Sequence, residues 1–494
     1  MISSKRTLFF FSPLIAAALL SGCAPALRQA PPDSRAGLPT RWAYQGEGDQ
    51  GEGDQGEGDQ GEGDQGASTP IVAQWWQALG DAELSRHVEA ALARNANLQV
   101  AGTRVAAARA QLQAADAALL PNLNLGASAG VTHTLTPVGI TTSRSLQPQL
   151  QASWEPDLWG RLADRASTAD LQYRATQADR DAVALTVAAT TAQTYVDLLA
   201  REAQLAQTRQ TLHTRRQALQ LAQDQESVGY ISKLQVTQAQ AEMESVQQQI
   251  PALEMAIARQ FNALQLLAGD VPARRDTAQA DGKAFAALAV PAVPASLPSE
   301  LLRRRPDLVQ AELALAASDA NLRASRAAYL PQVSLSASAG RLFVNAIGYN
   351  PINVWSLGAS ALAPLFDGGR LDAQYGTATA QRDQAAYAYR GAVLSALGDV
   401  ENALVGVDRL DVQLQTAKRR RAMLAQTYGY AKDRYGAGYA SYLEQIDAQR
   451  NLFQAEIEVI NLRQSQMDNL IALYRALGGG WSAAQVLPAE PGTH

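Results

Sequence analysis

The chain contains one plan written twice. Leu119-Leu-Pro-Asn-Leu-Asn-Leu-Gly-Ala-Ser-Ala-Gly130 recurs as Tyr329-Leu-Pro-Gln-Val-Ser-Leu-Ser-Ala-Ser-Ala-Gly340, at an offset of 210. Gly160-Arg161-Leu162 returns as Gly369-Arg370-Leu371, and Val228-Gly229-Tyr230 as Ala437-Gly438-Tyr439, both at an offset of 209. Arg161 to Gly229 and Arg370 to Gly438 are each 68 residues apart, so the length of that segment is duplicated along with its ends. A fold built on this body, about 75–480, must hold two copies of the same unit.

Within each copy the order reads helix, strand, strand, very long helix, returning helix. Residues 84–119 and 301–329 are rich in Ala, Leu, Arg and Gln, and Pro306 suits a first helical turn. Pro121 and Pro331 stop these helices. The segments 162–228 and 371–436 carry seven-residue spacing. It is written in Leu198, Leu205, Leu212 and Leu219 in the first, and in Val393, Val400, Val407 and Leu414 with Leu397 and Leu404 in the second. This is a coiled-coil seam. A helix of 67 residues reaches roughly 100 Å at ~1.5 Å per residue, longer than a compact domain needs. Gly229 and Gly438 supply left-handed turns that reverse each long helix. Ile446, Phe453, Ile460, Met467 and Tyr474 then continue the seven-residue spacing, so the outgoing and returning helices can pack as a hairpin.

The four strand segments, 122–131, 145–155, 332–340 and 354–361, alternate with period two. Leu123, Leu125, Ala127, Ala129 and Val131 stand against Asn122, Asn124, Gly126 and Ser128, and the other three segments follow suit. Faces of Gln, Ser, Asn and Gly with few charges suit the wet interior of an outer-membrane barrel. About ten residues tilted by ~45° rise roughly 23 Å, close to the ~25 Å apolar band of such barrels. Four strands cannot close a barrel, and open edges are not tolerated in lipid. Two copies give eight strands, whose interior side chains fill, whereas three give twelve and leave a channel, so a conduit favours three.

The N-terminus carries an address. Lys5 and Arg6 precede an apolar stretch from Leu8 to Leu20, which reads as a secretory signal over residues 1–22. Leu20-Ser21-Gly22-Cys23 resembles a bacterial lipobox, with the only cysteine where the lipid attaches, and Ala24 resembles an outer-membrane sorting residue. No cofactor is expected beyond a covalent diacylglycerol and N-acyl lipid on Cys23. Four copies of Gly-Glu-Gly-Asp-Gln follow from Gly46 to Gln65 and read as a solvated tether. That tract holds eight of the 47 acidic residues, leaving 39 against 42 Lys and Arg, so the body is nearly neutral. A nucleic-acid binder is thereby disfavoured. Past the signal, no run of about 18 consecutive apolar residues reads as a membrane helix.

From about Trp75 to Gly480 the sequence resembles the TolC-like outer membrane efflux family, specifically its lipidated NodT-type members that serve resistance-nodulation-division pumps. Trp154-Glu-Pro-Asp-Leu-Trp-Gly-Arg161, Arg304-Arg-Pro-Asp-Leu-Val-Gln-Ala-Glu312 and Arg434-Tyr-Gly-Ala-Gly-Tyr-Ala-Ser441 carry the resemblance, together with the duplication. It implies a fold that is mainly α with a membrane β-barrel. Three copies would form a 12-stranded outer-membrane β-barrel continued by a 12-helix periplasmic α-barrel.

The expected organisation is a signal peptide (1–22), a lipidated N-terminus and acidic Gly-rich linker (23–66), a first repeat (67–270), an inter-repeat equatorial segment (271–300), a second repeat (301–480) and a tail (481–494). An equatorial belt would draw on 67–83, 270–300 and 478–494. The implied partners are two further copies, a periplasmic adaptor (membrane fusion) protein, an inner-membrane pump and outer-membrane lipid. The implied function is a passive duct for small amphiphilic compounds, with no enzymatic activity. A duct for secreted protein and a lipid-anchored periplasmic coiled-coil scaffold are the alternatives.

Glu444 and Asp447 share a helix face and match the family's acidic periplasmic constriction, and Tyr435 matches a tyrosine that holds the tip closed. Rings of acid favour cations. Gly229, Tyr230 and Ser232, with Gly438, Tyr439 and Ser441, resemble adaptor-docking turns. Where some members use an Arg and an Asp in ionic links, this chain has Ala440 and Gln235, so its closing contacts must differ. His87, His133, His213 and His494 show no metal spacing, and no triad or phosphate-loop motif is present. The runs Arg303-Arg304-Arg305 and Lys418-Arg419-Arg420-Arg421 read as solvated helix faces.

Overall fold

The computed structural model describes residues 42, 74–137, 139–277, 281–293 and 301–481. The signal segment, Cys23, the repeated acidic tract, Pro294, Pro298 and residues 482–494 lie outside the described residues. Two compact units emerge, one gathering Arg104–Gln177 and Gln310–Gly391, the other gathering the segment that ends at Thr103 with Ala178–Val309 and the chain from Ala392 onward.

In chain order the elements are α1 (Ala82–Arg94), α2 (Ala96–Ala117), β1 (Asn122–Thr136), β2 (Gly139–Trp154), α3 (Arg161–Ser227), α4 (Lys233–Gln247) and α5 (Gln249–Leu267). A short α6 (Lys283–Ala287) leads to the second repeat: α7 (Leu301–Arg304), α8 (Pro306–Ala327), β3 (Gln332–Val344), β4 (Ile352–Leu362), α9 (Arg370–Gly436) and α10 (Tyr442–Ala476). The duplicated long segments are single helices of 67 residues each.

The first unit carries one antiparallel sheet in the order β1-β2-β3-β4. Many of its apolar positions are uncovered; Leu125 is 78 % exposed and Leu357 likewise 78 %. An apolar, uncovered sheet face together with two unpaired edges, on β1 and β4, is what a lipid-facing barrel segment from one protomer requires. The strands exceed their expected bounds: the first hairpin runs through Thr136 and restarts at Gly139, because Thr132, Thr134 and Leu135 continue the ladder opposite Ser143, Thr141 and Ile140. Pro148 sits opposite Ala127 in the first pair, and the β2–β3 pairing lapses between Leu146↔Phe343 and Gln149↔Gly340 because proline has no N–H to give.

Three expected helices are divided. The segment 84–119 breaks at Asn95, whose Oδ1 accepts from the N–H groups of Asn97 (3.0 Å) and Leu98 (3.3 Å) and so starts α2 afresh. The segment 301–329 breaks at Arg305, and Pro306 opens α8. In the first repeat the return is split after Gln248, just before Pro251, whereas α10 is continuous over 35 residues.

In the second unit the seam residues Leu198, Leu205 and Leu212 are buried, as are Val393, Val400 and Leu414 and, on α10, Ile446, Phe453, Met467 and Tyr474. The main core joins Trp75, Trp76, Leu84 and Val88 to Tyr195 and Leu198 of α3, Ile257 and Leu264 of α5, and Met467 and Ile471 of α10. The inter-repeat segment is fastened onto these helices. Arg275 grips Glu202 at 2.6 Å and lies over the Phe261 ring, while Arg463 donates to the carbonyls of Ala286 (3.0 Å) and Leu288 (2.9 Å). Of the arginine run at 303–305, Arg303 is exposed as expected, but Arg305 departs from a solvated face: its side chain is mostly buried and pairs with Asp307 at 2.7 Å and Asp399 at 3.1 Å. Arg420 and Arg421 reach Glu458 (2.6 Å) and Glu456 (3.6 Å), the flanking pairs of an antiparallel coiled coil. One 18-residue window of α3 is apolar enough to cross a membrane by length and composition, but half of it is buried in protein. It belongs to the core.

Asp468 on α10 is half-buried, with one carboxyl oxygen that has no partner among the described residues. Burial, with Asp197 on α3 as a like charge, pushes its carboxyl up to about 6. A carboxyl raised on folding stabilises the native state fully below the ordinary carboxylate range, and that contribution is lost as pH rises through 6. Asp468→Asn is therefore expected to add about 2 kcal/mol at pH 8 and almost nothing at pH 4. Heat-dissociation temperatures on semi-native gels at the two pH values check this; an equal shift at both would contradict it.

Candidate periplasmic tip

The two helix reversals adopt one geometry. Gly229 has φ +75° and Gly438 φ +78°, a region open to glycine and strained for other residues. At each turn the tyrosine N–H closes the preceding helix, Tyr230 onto the Gln225 carbonyl and Tyr439 onto that of Arg434, both at 2.8 Å. The rings of Tyr230 and Tyr439 are 72 % and 81 % exposed. Ser232 and Ser441 cap the returning helices: the Ser232 N–H donates to Gln235 Oε1 at 3.1 Å, and Ser441 Oγ accepts from the Glu444 N–H at 3.4 Å. Gln235, at the position where an ionic link was sought, thus serves a capping box.

The tip acids do not stand free. Glu444 pairs with Arg434 at 2.9 Å across the turn, and Asp447 accepts from Asn451 Nδ2 at 3.2 Å. Tyr435 Oη donates to Gln225 Oε1 at 3.3 Å, joining α9 to α3, and its ring lies 5.4 Å from that of Tyr442. Beneath these, Ala222, Ala239, Tyr442 and Ile446 form a small apolar cluster shared by both hairpins. Burial pushes the Tyr442 hydroxyl up to about 12, so it stays neutral.

A further link between the two hairpins, which the sequence left unnamed, centres on Glu242. It receives Arg215 from α3 at 3.5 Å and Arg450 from α10, so one carboxylate of α4 binds a helix of each hairpin. Arg215 is 3 % exposed and its Nε is unpartnered, which makes Glu242 its only countercharge among the described ion pairs. A signal for this existed: Arg215 falls three residues after the seam leucine Leu212, at the second apolar position of the heptad, and Glu242 shares a stripe with Ala239 and Val246. A charge on an apolar seam calls for a buried partner.

Comparison with known proteins follows the same division. The family model described as Outer membrane efflux protein matches residues 87–270 and 297–479. The pyoverdine export outer membrane protein OpmQ of Pseudomonas aeruginosa is 32 % identical over 479 residues, covering 95 % of this chain and 97 % of that one. The probable outer membrane lipoprotein SilC of Salmonella typhimurium is 31 % identical, covering 82 % and 88 %. The open-state crystal structure of the Neisseria gonorrhoeae MtrE outer membrane channel superposes with a TM-score of 0.76 at 26 % identity, covering 93 % of this chain and 99 % of that one.

Proposed function

Because the chain belongs to the outer membrane efflux protein family and serves as the outer-membrane duct of a tripartite pump, we propose that three copies act together, passing small amphiphilic compounds handed over by a periplasmic adaptor and a resistance-nodulation-division pump. The observation that carries the duct reading is the uncovered apolar sheet with two unpaired edges on the same chain as two 67-residue helices. Three such sheets close a barrel of twelve strands, wide enough for a channel. No step of chemistry is needed. The energy comes from the inner-membrane partner, and the lipid on Cys23 anchors the mature N-terminus in the outer membrane.

The tip is the gate. Glu242, Arg215, Arg450, Tyr435 and Gln225 bind the two hairpins of a protomer together and hold the periplasmic end narrow. Glu444 and Asp447 set the charge there, tempered by Arg434. In planar bilayers, Glu444→Gln with Asp447→Asn is expected to reduce the cation preference by about half, since Asp447 has no ion pair among the described residues. Unchanged reversal potentials would remove the acids from the conduction path.

The exposed turns dock the adaptor. Gly229→Val and Gly438→Val force a branched side chain into positive φ, which costs about 1–2 kcal/mol each and reshapes the turns. Trimers are expected to survive while site-specific cross-linking to the adaptor falls several-fold. Normal cross-linking in both variants would place docking elsewhere.

A further inference from the structure

A cavity of about 470 Å³ lies in the first unit, against the opening turns of α9. Arg165 of α3 and Arg370 of α9 line it together with small residues of α8, Ala324, Ser325 and Ala328. The amides of Asn321, Gln374 and Gln381 add to a wall that, among the described residues, contains no acid. Its charge is therefore positive. From Arg370 to Gln381 is roughly 16 Å at ~1.5 Å per residue, so the cavity sits where the membrane sheet gives way to helix, at the depth of the lipid headgroups.

Both arginines are short of countercharge. Arg165 makes no ion pair or hydrogen bond among the described residues, and Glu155, the acid whose charge reaches it, is already held by Arg161 through both oxygens, at 2.6 and 2.8 Å. Arg370 is the second repeat's counterpart of Arg161, at the offset of 209. At the same offset the counterpart of Glu155 is Pro364, so the second copy keeps the arginine and drops its acid. Arg370 is left with Gln374 Oε1 at 3.4 Å and Asp367 at 3.6 Å, and the Asp367 oxygens already accept from the N–H groups of Gly369 (3.1 Å) and Leu371 (3.0 Å). Its side chain stays 60 % exposed. The side-chain amides of Asn321 and Gln381 have no hydrogen-bond partner among the described residues.

Two guanidinium forks from different helices, with amide donors beside them, suit a group that offers three or more oxygens in a tetrahedral array, where a carboxylate offers two. Arginine meets phosphate in this way. We propose that this cavity binds the phosphate group of a phosphate ester, with Arg165 and Arg370 as its charge partners and the amides of Asn321, Gln374 and Gln381 as further donors. Two sources share that chemistry: a phospholipid headgroup at the membrane surface and a soluble ester in the periplasm. A bound phosphate ties α3, α8 and α9 together just below the sheet. The site is separate from the tip and does not depend on which cargo the duct carries.

The test uses the delipidated full-length trimer in dodecyl maltoside, titrated calorimetrically with glycerol 3-phosphate, with dihexanoylphosphatidylglycerol and with uncharged dihexanoylglycerol. Expected is saturable binding of a phosphate ester at one site per protomer, while dihexanoylglycerol only partitions into micelles. Phosphatidylglycerol binding about tenfold or more tighter than glycerol 3-phosphate assigns the site to lipid, and similar affinities assign it to a soluble ester. Arg165→Gln with Arg370→Gln weakens binding about tenfold or more, and Gln374→Glu, which gives Arg370 the acid its repeat lacks, about tenfold. Arg409→Gln, at an exposed arginine farther along α9, leaves it within about twofold. All three variants keep heat-modifiable trimers. Equal losses in Arg409→Gln and in the cavity variants would overturn the proposal. So would the absence of saturable binding of either ester to the wild type, a result that needs no variant to fold.

Discussion

Glu242→Ala is expected to open the periplasmic tip. The substitution leaves Arg215 buried without a countercharge and releases Arg450, so the two hairpins of each protomer lose their common anchor. Removing one partner of a fully buried pair costs about 3–5 kcal/mol, and the half-exposed Arg450 lowers that here to about 2–3. The Tyr435–Gln225 bond and the small cluster around Tyr442 and Ile446 do not compensate, being a single neutral hydrogen bond and a few partly covered side chains. Mean conductance in planar bilayers is expected to rise several-fold, and cells carrying the variant should become sensitive to a large hydrophilic antibiotic that the wild type excludes. Adding Arg215→Met removes the stranded charge and, with Glu242→Leu in place of Ala, supplies apolar volume; this pair should restore low conductance. Wild-type conductance in Glu242→Ala would show that the closing contacts lie elsewhere.

Gly478→Ala is expected to abolish the assembled protein. Gly478 follows α10 with φ +88°, and a Cβ there would overlap the carbonyl oxygen of Arg304 in α7, where the second repeat begins. Positive φ alone costs an alanine about 1–2 kcal/mol. The overlap is with backbone, which cannot swing aside as a side-chain end would, so the turn or α7 must shift. Both lie beside Arg305, whose guanidinium also reaches the Ala476 carbonyl at 3.3 Å, so the shift would disturb its partly exposed ion pair with Asp399 as well. Heat-modifiable trimers should fall to a small fraction of wild type at equal expression. Gly429→Ala is the control: it sits inside α9 with open space around it and should be neutral, or stabilising by up to about 1 kcal/mol. Normal trimers from Gly478→Ala would contradict the close approach.

The duplication, the two long helices, the four strands and both reversing glycines were legible because each is a local or periodic pattern. Period two marks a half-buried strand, period seven a helical seam, and glycine a left-handed turn. What escaped depends on which distant residues meet. Arg215, Glu242 and Arg450 lie on three helices, and only the misfit of a charge on an apolar stripe hinted at their meeting. Arg305 read as one more exposed basic residue because its partner Asp399 is 94 positions away. The break at Asn95, inside the span 84–119 that reads as one helix, depends on its side chain, which caps α2 and donates to the distant Leu267 carbonyl at 3.0 Å. The hairpin strands ran longer than expected since Thr and Ser near the turn blur the alternation while still pairing. Among the candidate gate residues, Glu444 and Asp447 are where the pattern put them, but Arg434, which tempers Glu444, was not singled out.

The most direct test of the duct reading is intracellular accumulation of a panel of amphiphilic drugs and dyes in the native host, with and without this chain, with the inner membrane energised. The account predicts that accumulation rises on deletion, returns to normal with the intact gene, and fails to return with Gly478→Ala. No change across the panel, together with loss of a secreted protein from the medium of the same deletion strain, would contradict the proposed cargo and make the chain a duct for protein.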